Sequence, residues 1–387
     1  MSRQKGDRAY TRLDVLIVAS SDPRYDSRSS KYLSCLLEAG LNARVIGISS
    51  DGTSDESDSL TRIPVTRRAG KRFFLQFYQR IISEVRKSPA KVVIAGDLFS
   101  LPPSIINKRR FSRKGLAQAK KDFAVKLIYD SKELYEELPS LKLKRSSFLF
   151  WNFVERASIK YIDQVLTVNK SIADILESKW HLPTTVIMNV ADVACVPAIG
   201  GRSLDKVMLV FSGGLQDGRG LHNLIRLLTL LPDRYELRFV GEGGLRTELE
   251  NLAASLNLSS RVHFTGRVKN TEVIEELSKA TLGIYLMENS GLCHYLALPN
   301  KLFQFISARL PVIVPTFPEM EKIVSQFEIG AAVDPANIDA VASKVLELTS
   351  SRENYLRLVE NCEKAANVLN WKVEKEKFLE VIRRLVQ

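Results

Sequence analysis

Little in this chain would anchor it, staple it or load it with metal. No apolar run among its 387 residues approaches the roughly 18 that crossing a bilayer as a helix takes. Arg12–Ser20 is too short and wrongly flanked for a signal peptide, and is expected to be a first core strand instead. The four cysteines, Cys35, Cys195, Cys293 and Cys362, stand far apart with no CxxC pair. That excludes a disulfide scaffold and reads as free thiols in a reducing compartment. The four histidines are isolated, so no metal-ligand spacing exists. Neither GxGxxG nor GxxxxGK[ST] occurs, which removes the dinucleotide fingerprint and the P-loop. Low-complexity segments are absent too.

Acidic residues are scarce in one place. Leu101–Lys126 holds Lys108, Arg109, Arg110, Arg113, Lys114, Lys120, Lys121 and Lys126 against Asp122 alone, so much of the net charge of +12 belongs to the first half. Arg67, Arg68, Lys71, Arg72 and Arg80 lie upstream, with Phe73, Phe74, Phe77 and Phe111 interspersed. Such a surface suits an anionic membrane face or an anionic polymer, and equally a merely solvated basic face. Nucleic acid is not expected, because no binding module or tandem aromatic pattern accompanies the charge.

What is present is an ordinary globular composition, 45% hydrophobic, in a chain too long for one core, so two domains are expected. Val207–Gly244 reads as strand, glycine loop, helix, strand and second glycine loop. Gly213 and Gly214 follow the strand VMLVFS, and Gly241, Gly243 and Gly244 follow the next one. Backbone without a Cβ lets an anionic ligand approach N–H donors, with Arg219 close by. The same glycines also fit plain strand-to-helix turns.

Strand and helix patterns alternate along the whole chain. In the first half, strands are expected at Leu13–Ala19, Ala43–Ile48, Ile63–Val65, Lys91–Ala95, Phe123–Tyr129, Gln164–Val168 and Thr185–Met188. Helices are expected over Tyr32–Ala39, Arg72–Arg86, Phe148–Ile162 and Ser171–Lys179. Asn189–Gly201 reads as a linker. The second half repeats the pattern. Thr271 is expected to cap a helix over Glu272–Ala280, and MENSGLCHYLALP to form a long loop. Pro299 is expected in the first turn of Asn300–Ala308, and a helical tail at Glu353–Val386 to break near Asn367–Trp371.

These pieces together resemble a retaining glycosyltransferase of family 4. The resemblance rests on DPRYDSR (Asp22–Arg28), YDSKELYEE (Tyr129–Glu137), ERASIKYIDQVLTVNKSIADIL (Glu155–Leu176) and VIMNV (Val186–Val190). In the second half it rests on FSGGLQDGRG (Phe211–Gly220), FVGEGG (Phe239–Gly244), RVHFTGRV (Arg261–Val268) and LPNKLFQFISARLPVI (Leu298–Ile313). It implies an α/β fold of the GT-B type, two Rossmann-like doubly wound domains facing each other across a cleft. Residues 1–195 would be the acceptor side and 196–370 the nucleotide-sugar donor side. The helix 371–387 would pack back on the first domain.

The resemblance also implies roles. Gly213, Gly214, Gly241, Glu242 and Gly243 match the loops at the donor phosphates, and Arg219 the basic residue beside them. Arg267 and Val268 fall in the stretch near the base. PNKLFQ matches a P-x-K-x-F-E signature, making Lys301 and Gln304 donor-facing candidates. Catalytic roles fall on Arg219 and Lys301, with Lys132 where the family's acceptor-side histidine stands. Four positions depart from the family: Gly214 stands where many members have a second arginine, Leu296 and Gln304 replace two glutamates, and Lys132 replaces the histidine. Asp130 and Glu133 remain polar candidates beside it. The activity implied is transfer of a sugar from a UDP- or GDP-linked donor to a saccharide or lipid-linked hydroxyl, in polysaccharide or glycolipid assembly. No cofactor and no metal are expected. The setting implied is cytoplasmic, with peripheral contact on the inner membrane face. Also open at this point are a catalytically silent nucleotide-sugar-binding subunit, and an epimerase or hydrolase of the same architecture.

Overall fold

The structure, a computed structural model, describes residues 12–49, 51–65, 71–112, 124–138, 145–192, 204–269 and 272–386. The chain divides into two compact units, Met1–Met188 with Lys375–Gln387, and Asn189–Glu374. Among the described residues no helix is long and apolar enough to cross a membrane.

The first unit is built on β1 (Leu13–Val18), β2 (Ala43–Ser49), β3 (Asp55–Glu56), β4 (Leu60–Pro64), β5 (Ala90–Ala95), β6 (Lys126–Asp130), β7 (Gln164–Thr167) and β8 (Thr184–Val186). Their order is β3-β4-β2-β1-β5-β6-β7-β8, parallel throughout except where β3 runs antiparallel to β4. Runs such as LDVLIV and AKVVIA are apolar at nearly every position because helices cover both faces of a parallel sheet.

The second unit contains β9 (Val207–Ser212), β10 (Tyr235–Val240), β11 (Val262–Gly266), β12 (Leu282–Ile284), β13 (Val312–Pro315) and β14 (Gly330–Val333). Its sheet runs β11-β10-β9-β12-β13-β14, all parallel. This is the doubly wound order in which succession reverses between the first and fourth strands, here β9 and β12, and ligands bind beyond the strand ends at that reversal. The expected α/β class, with two Rossmann-like halves, is therefore present.

Several boundaries differ from the sequence expectations for local reasons. The first helix is Ser27–Glu38, starting five residues before Tyr32, because the Asp26 side chain caps it through the backbone N–H groups of Arg28 and Ser29. Pro299 is extended (φ −75°, ψ 144°) and caps Asn300–Ser307 instead of sitting inside its first turn. The stretch expected to be a long loop contains one helical turn, Leu292–Tyr295. Leu101–Phe111 forms a helix that its two prolines and basic residues hid, prolines being tolerated in a first turn. Arg246–Ser255 is a helix with little apolar signal in its sequence, since it buries only Leu249 and Ala253. The proposed cap at Thr271 lies outside the described residues.

The tail forms two helices, Arg352–Val368 and Trp371–Val386. The second enters the first unit at Lys375. There Phe378 stacks on Tyr32 with ring centroids 4.0 Å apart, Lys375 pairs with Glu38 at 3.0 Å, and Arg384 donates to Gln164 at 2.6 Å.

Candidate functional site

At the ends of β9, β10 and β11 the three turns bond to one another. The Gly213 N–H donates to the Val240 carbonyl and the Gly241 N–H to the Gly266 carbonyl, each at 3.0 Å. Leu215 donates to the Glu242 carbonyl at 3.0 Å, and Leu245 donates back to Leu215 at 3.2 Å. Glycine is required because backbone meets backbone. A Cβ on Gly241 (φ 146°) would lie 1.9 Å from the Gly213 oxygen, and one on Gly243 2.2 Å from the Leu215 oxygen. A side chain there would push the turns apart. Gly213, Gly241 and Gly243 are thus assembled into one backbone shelf, with Gly214 exposed at its rim.

The segment after the shelf crosses the sheet reversal. Gly220 (φ 67°) is pressed against the Leu286 carbonyl, and Glu288 N–H donates to Gly218 at 3.0 Å. Between those two glycines, Arg219 donates through Nη1 to the Tyr285 hydroxyl and lies 3.8 Å from Met287 Sδ. The arginine's root is thereby fixed by the loop after β9, and its head by residues just after β12. Burial raises the Tyr285 hydroxyl's pKa, an effect that Arg219's charge partly offsets.

Lys301 approaches from the helix Asn300–Ser307. Its Cε lies 3.6 Å from the position a Cβ on Gly213 would take, and its Nζ donates to Gln304 Oε1 at 3.3 Å. One helical turn separates the two, so they share a face. Burial first, then the charge of Arg219, holds the Lys301 ammonium below the ordinary lysine value. Among the described residues neither Arg219 nor Lys301 is paired with a carboxylate, and each bonds a neutral group instead. Two cations beside a backbone shelf, with no counter-charge, form a place suited to an anion.

His294, from the turn Leu292–Tyr295, belongs to the same neighbourhood. Its Nδ1 lies 2.5 Å from Ser290 Oγ, and burial followed by Arg219's charge lowers its pKa. Tyr285, Met287 and His294 were not singled out from the sequence. LGIYL (Leu282–Leu286) reads there as strand, Met287 as the start of a loop and the histidine as solitary, and only the loop's return toward Arg219 gives them a role.

Other expected residues fall further out. Glu242 is exposed, its carboxylate bound to Arg246 at 2.6 Å. Arg267 is exposed and Val268 half-buried, just beyond Gly266. Leu296, standing where the family has a glutamate, is 7% exposed and packed as an apolar residue.

Lys132 belongs to the first unit, after β6. It donates to Asp26 Oδ2 at 3.1 Å. Burial alone would raise the Asp26 carboxyl, but Lys132, Ser21 and the helix N–H groups outweigh it and hold the pKa at about 2. Asp130, an expected polar candidate, is committed elsewhere. Its two oxygens accept from Arg28 Nε and Nη2 at 2.8 Å each, both residues are almost wholly buried, and Arg28 Nη1 donates to the Ile187 carbonyl at 2.7 Å. DPRYDSR and the YD of YDSKE therefore meet through structural contacts.

Comparison with known proteins bears on these features. Residues 196–365 match the family model described as glycosyl transferases group 1. The lipopolysaccharide core biosynthesis glycosyltransferase LpsE of Rhizobium meliloti is 24% identical over 185 residues, 47% of this chain and 52% of that protein. The chain matches about half or less of the length of its curated relatives. Sucrose-phosphate synthase from Thermosynechococcus elongatus superimposes with a TM-score of 0.76 at 15% identity, covering 97% of this chain and 99% of that one. Anabaena Alr3699/HepE, solved with UDP and glucose, gives 0.71 at 12% identity, covering 96% and 100%. At such identities the likeness concerns fold, and the fold they share with this chain is GT-B. Residues 196–365 accordingly resemble the group 1 glycosyl transferases, and the two Rossmann-like halves of the chain have the GT-B fold.

Proposed function

We propose that this protein is a retaining glycosyltransferase that moves a sugar from a nucleoside-diphosphate donor to a hydroxyl of a saccharide or lipid-linked acceptor, in surface polysaccharide or glycolipid assembly. The observation that carries the reading is the pair Arg219 and Lys301, two cations without carboxylate partners among the described residues, beside the Gly213–Gly241 shelf. The relatives' names support the saccharide setting, and the complex of Alr3699/HepE with UDP and glucose supports a UDP-linked donor.

In the mechanism, the bond from the sugar's C1 to the donor diphosphate lengthens first, building positive charge on the ring and negative charge on the leaving oxygen. Arg219 and Lys301 stabilise that negative charge, and fixed donors cost no reorganisation as it develops. The acceptor oxygen then bonds to C1 on the face the diphosphate leaves, and its proton passes to the departing diphosphate. No protein carboxylate is needed in this scheme, which accommodates the buried Leu296 and the uncharged Gln304. Gln304, held against Lys301, offers both a donor and an acceptor to a ribose hydroxyl. Lys132, paired with Asp26, has an electrostatic role on the acceptor side and no proton-transfer duty.

A second reading, a catalytically silent nucleotide-sugar-binding subunit, is favoured by Leu296 and by the Lys132–Asp26 pair. Incubation with labelled sugar nucleotides and a saccharide acceptor separates the cases. Labelled acceptor supports the transferase, donor loss without an acceptor requirement indicates a hydrolase or epimerase, and an unchanged donor indicates the silent subunit.

A further inference from the structure

The helix Arg145–Ser158 buries one face and leaves an unusual other face in solvent. Trp151 is buried, with Phe99 at 4.7 Å and Phe74 at 5.0 Å between ring centroids, and Glu155 bonds the Tyr129 hydroxyl at 2.8 Å. These contacts fix the helix's rotation. At 100° per residue they turn Leu149, Phe150 and Phe153 outward, and the three are 58%, 56% and 70% exposed. A neighbouring helix, Lys71–Val85, supplies Phe74 to the Trp151 contact and exposes Leu75 to 59%. Burying such rings in water's absence is favourable, so leaving several together uncovered calls for a partner.

The charges around this face say which partner. Arg145 at the start of the helix and Arg156 in its last turn are exposed on the same side as Leu149 and Phe153, and Lys160 follows in the next turn. Lys160 and Arg109, from the end of Leu101–Phe111, both lie against the ring of Tyr161, at 5.3 and 6.0 Å. Exposed acids are missing from this helix, since its one carboxylate, Glu155, is buried. Apolar rings at the centre with cations at both ends fit a surface that is apolar inside and anionic at its rim.

We propose that the outward face of Arg145–Ser158 docks the first unit onto an anionic lipid bilayer. Leu149, Phe150 and Phe153 enter the headgroup boundary, while Arg145, Arg156, Lys160 and Arg109 meet lipid phosphates. This gives a surface to the membrane contact expected of an enzyme with a lipid-linked acceptor. Vesicle binding reads it without any transfer step, so it fails or stands apart from the proposed reaction.

The test is co-sedimentation of the full chain with vesicles of phosphatidylcholine, alone or mixed with phosphatidylglycerol. Binding is expected to the mixed vesicles only and to weaken with salt. The double variant Phe150→Ser/Phe153→Ser should lose about tenfold or more per ring removed. Arg145→Gln/Arg156→Gln should lose about fivefold per charge and most of the salt dependence. Thermal unfolding unchanged in both variants keeps the comparison clean. Wild-type binding that neither variant weakens overturns the proposal. So does a wild-type chain that ignores both vesicles and elutes as a dimer, with the Phe150→Ser/Phe153→Ser protein a monomer, which would assign the face to a second copy.

Discussion

Gly241 stands so close to Gly213 that a Cβ on the first would lie 1.9 Å from the carbonyl oxygen of the second. Two strand-end turns are thereby held as one shelf, with Lys301 reaching over it. Gly241→Ala must either move the shelf or hold alanine at a φ of 146°. The expected cost is roughly 1–3 kcal/mol of stability, with a weakened response to sugar nucleotides. Denaturant unfolding, together with thermal shift on adding UDP-glucose, measures both.

Removing either site cation should affect chemistry more than folding. Arg219→Ala and Lys301→Ala are each expected to lower turnover by about 10²- to 10³-fold, as loss of one fixed donor to a developing charge does elsewhere. Since Lys301 is held low by burial and Arg219, Arg219→Ala should also move the Lys301 ammonium back up toward the ordinary lysine value. Steady-state rates and a lysine titration by NMR check the two effects.

Glu155 gives a pH dependence of known sign. Burial raises its carboxyl pKa to about 7, with the Tyr129 hydrogen bond opposing, against 4.5 as the ordinary value. The folded state therefore binds a proton that the unfolded state has released between those limits. Stability from this group is fully present below about pH 4.5 and falls as pH rises through about 7. The fall is on the order of 3 kcal/mol. Glu155→Gln should flatten that slope in unfolding curves taken from pH 4 to 8.

The buried pair Arg28 and Asp130 should behave differently under single and double substitution. Asp130→Asn leaves the guanidinium in the interior without its counter-charge, at an expected cost of about 3–5 kcal/mol. Replacing both residues by apolar ones of similar volume should recover much of that loss. Urea unfolding of the two variants decides it.

Much of the architecture was readable before any coordinates, because parallel strands buried on both faces advertise themselves as short apolar runs. VMLVFS and KVVIA fall on strands, and the break in the tail falls between Val368 and Trp371. Shorter or less apolar elements were not legible. Leu101–Phe111 has prolines in its first turn and a basic end, and Leu292–Tyr295 is a single turn.

The site was legible to the extent that it is backbone. Glycines at strand ends mark where chains pack closely, whereas Tyr285, Met287 and His294 reach Arg219 only through the sheet reversal at β9 and β12. Asp130 shows the opposite failure. Its motif suggested chemistry, and its two bonds to Arg28 tie it into the interior.

The most direct measurement of the central claim is the thermal unfolding midpoint of wild type and Arg219→Ala across a panel of UDP- and GDP-sugars. A ligand that binds only the folded state raises the midpoint in proportion to its occupancy. The account predicts that at least one donor stabilises the wild type, and that Arg219→Ala, equally stable alone, loses that response. A panel that leaves the wild type unmoved, or moves both proteins alike, would contradict it.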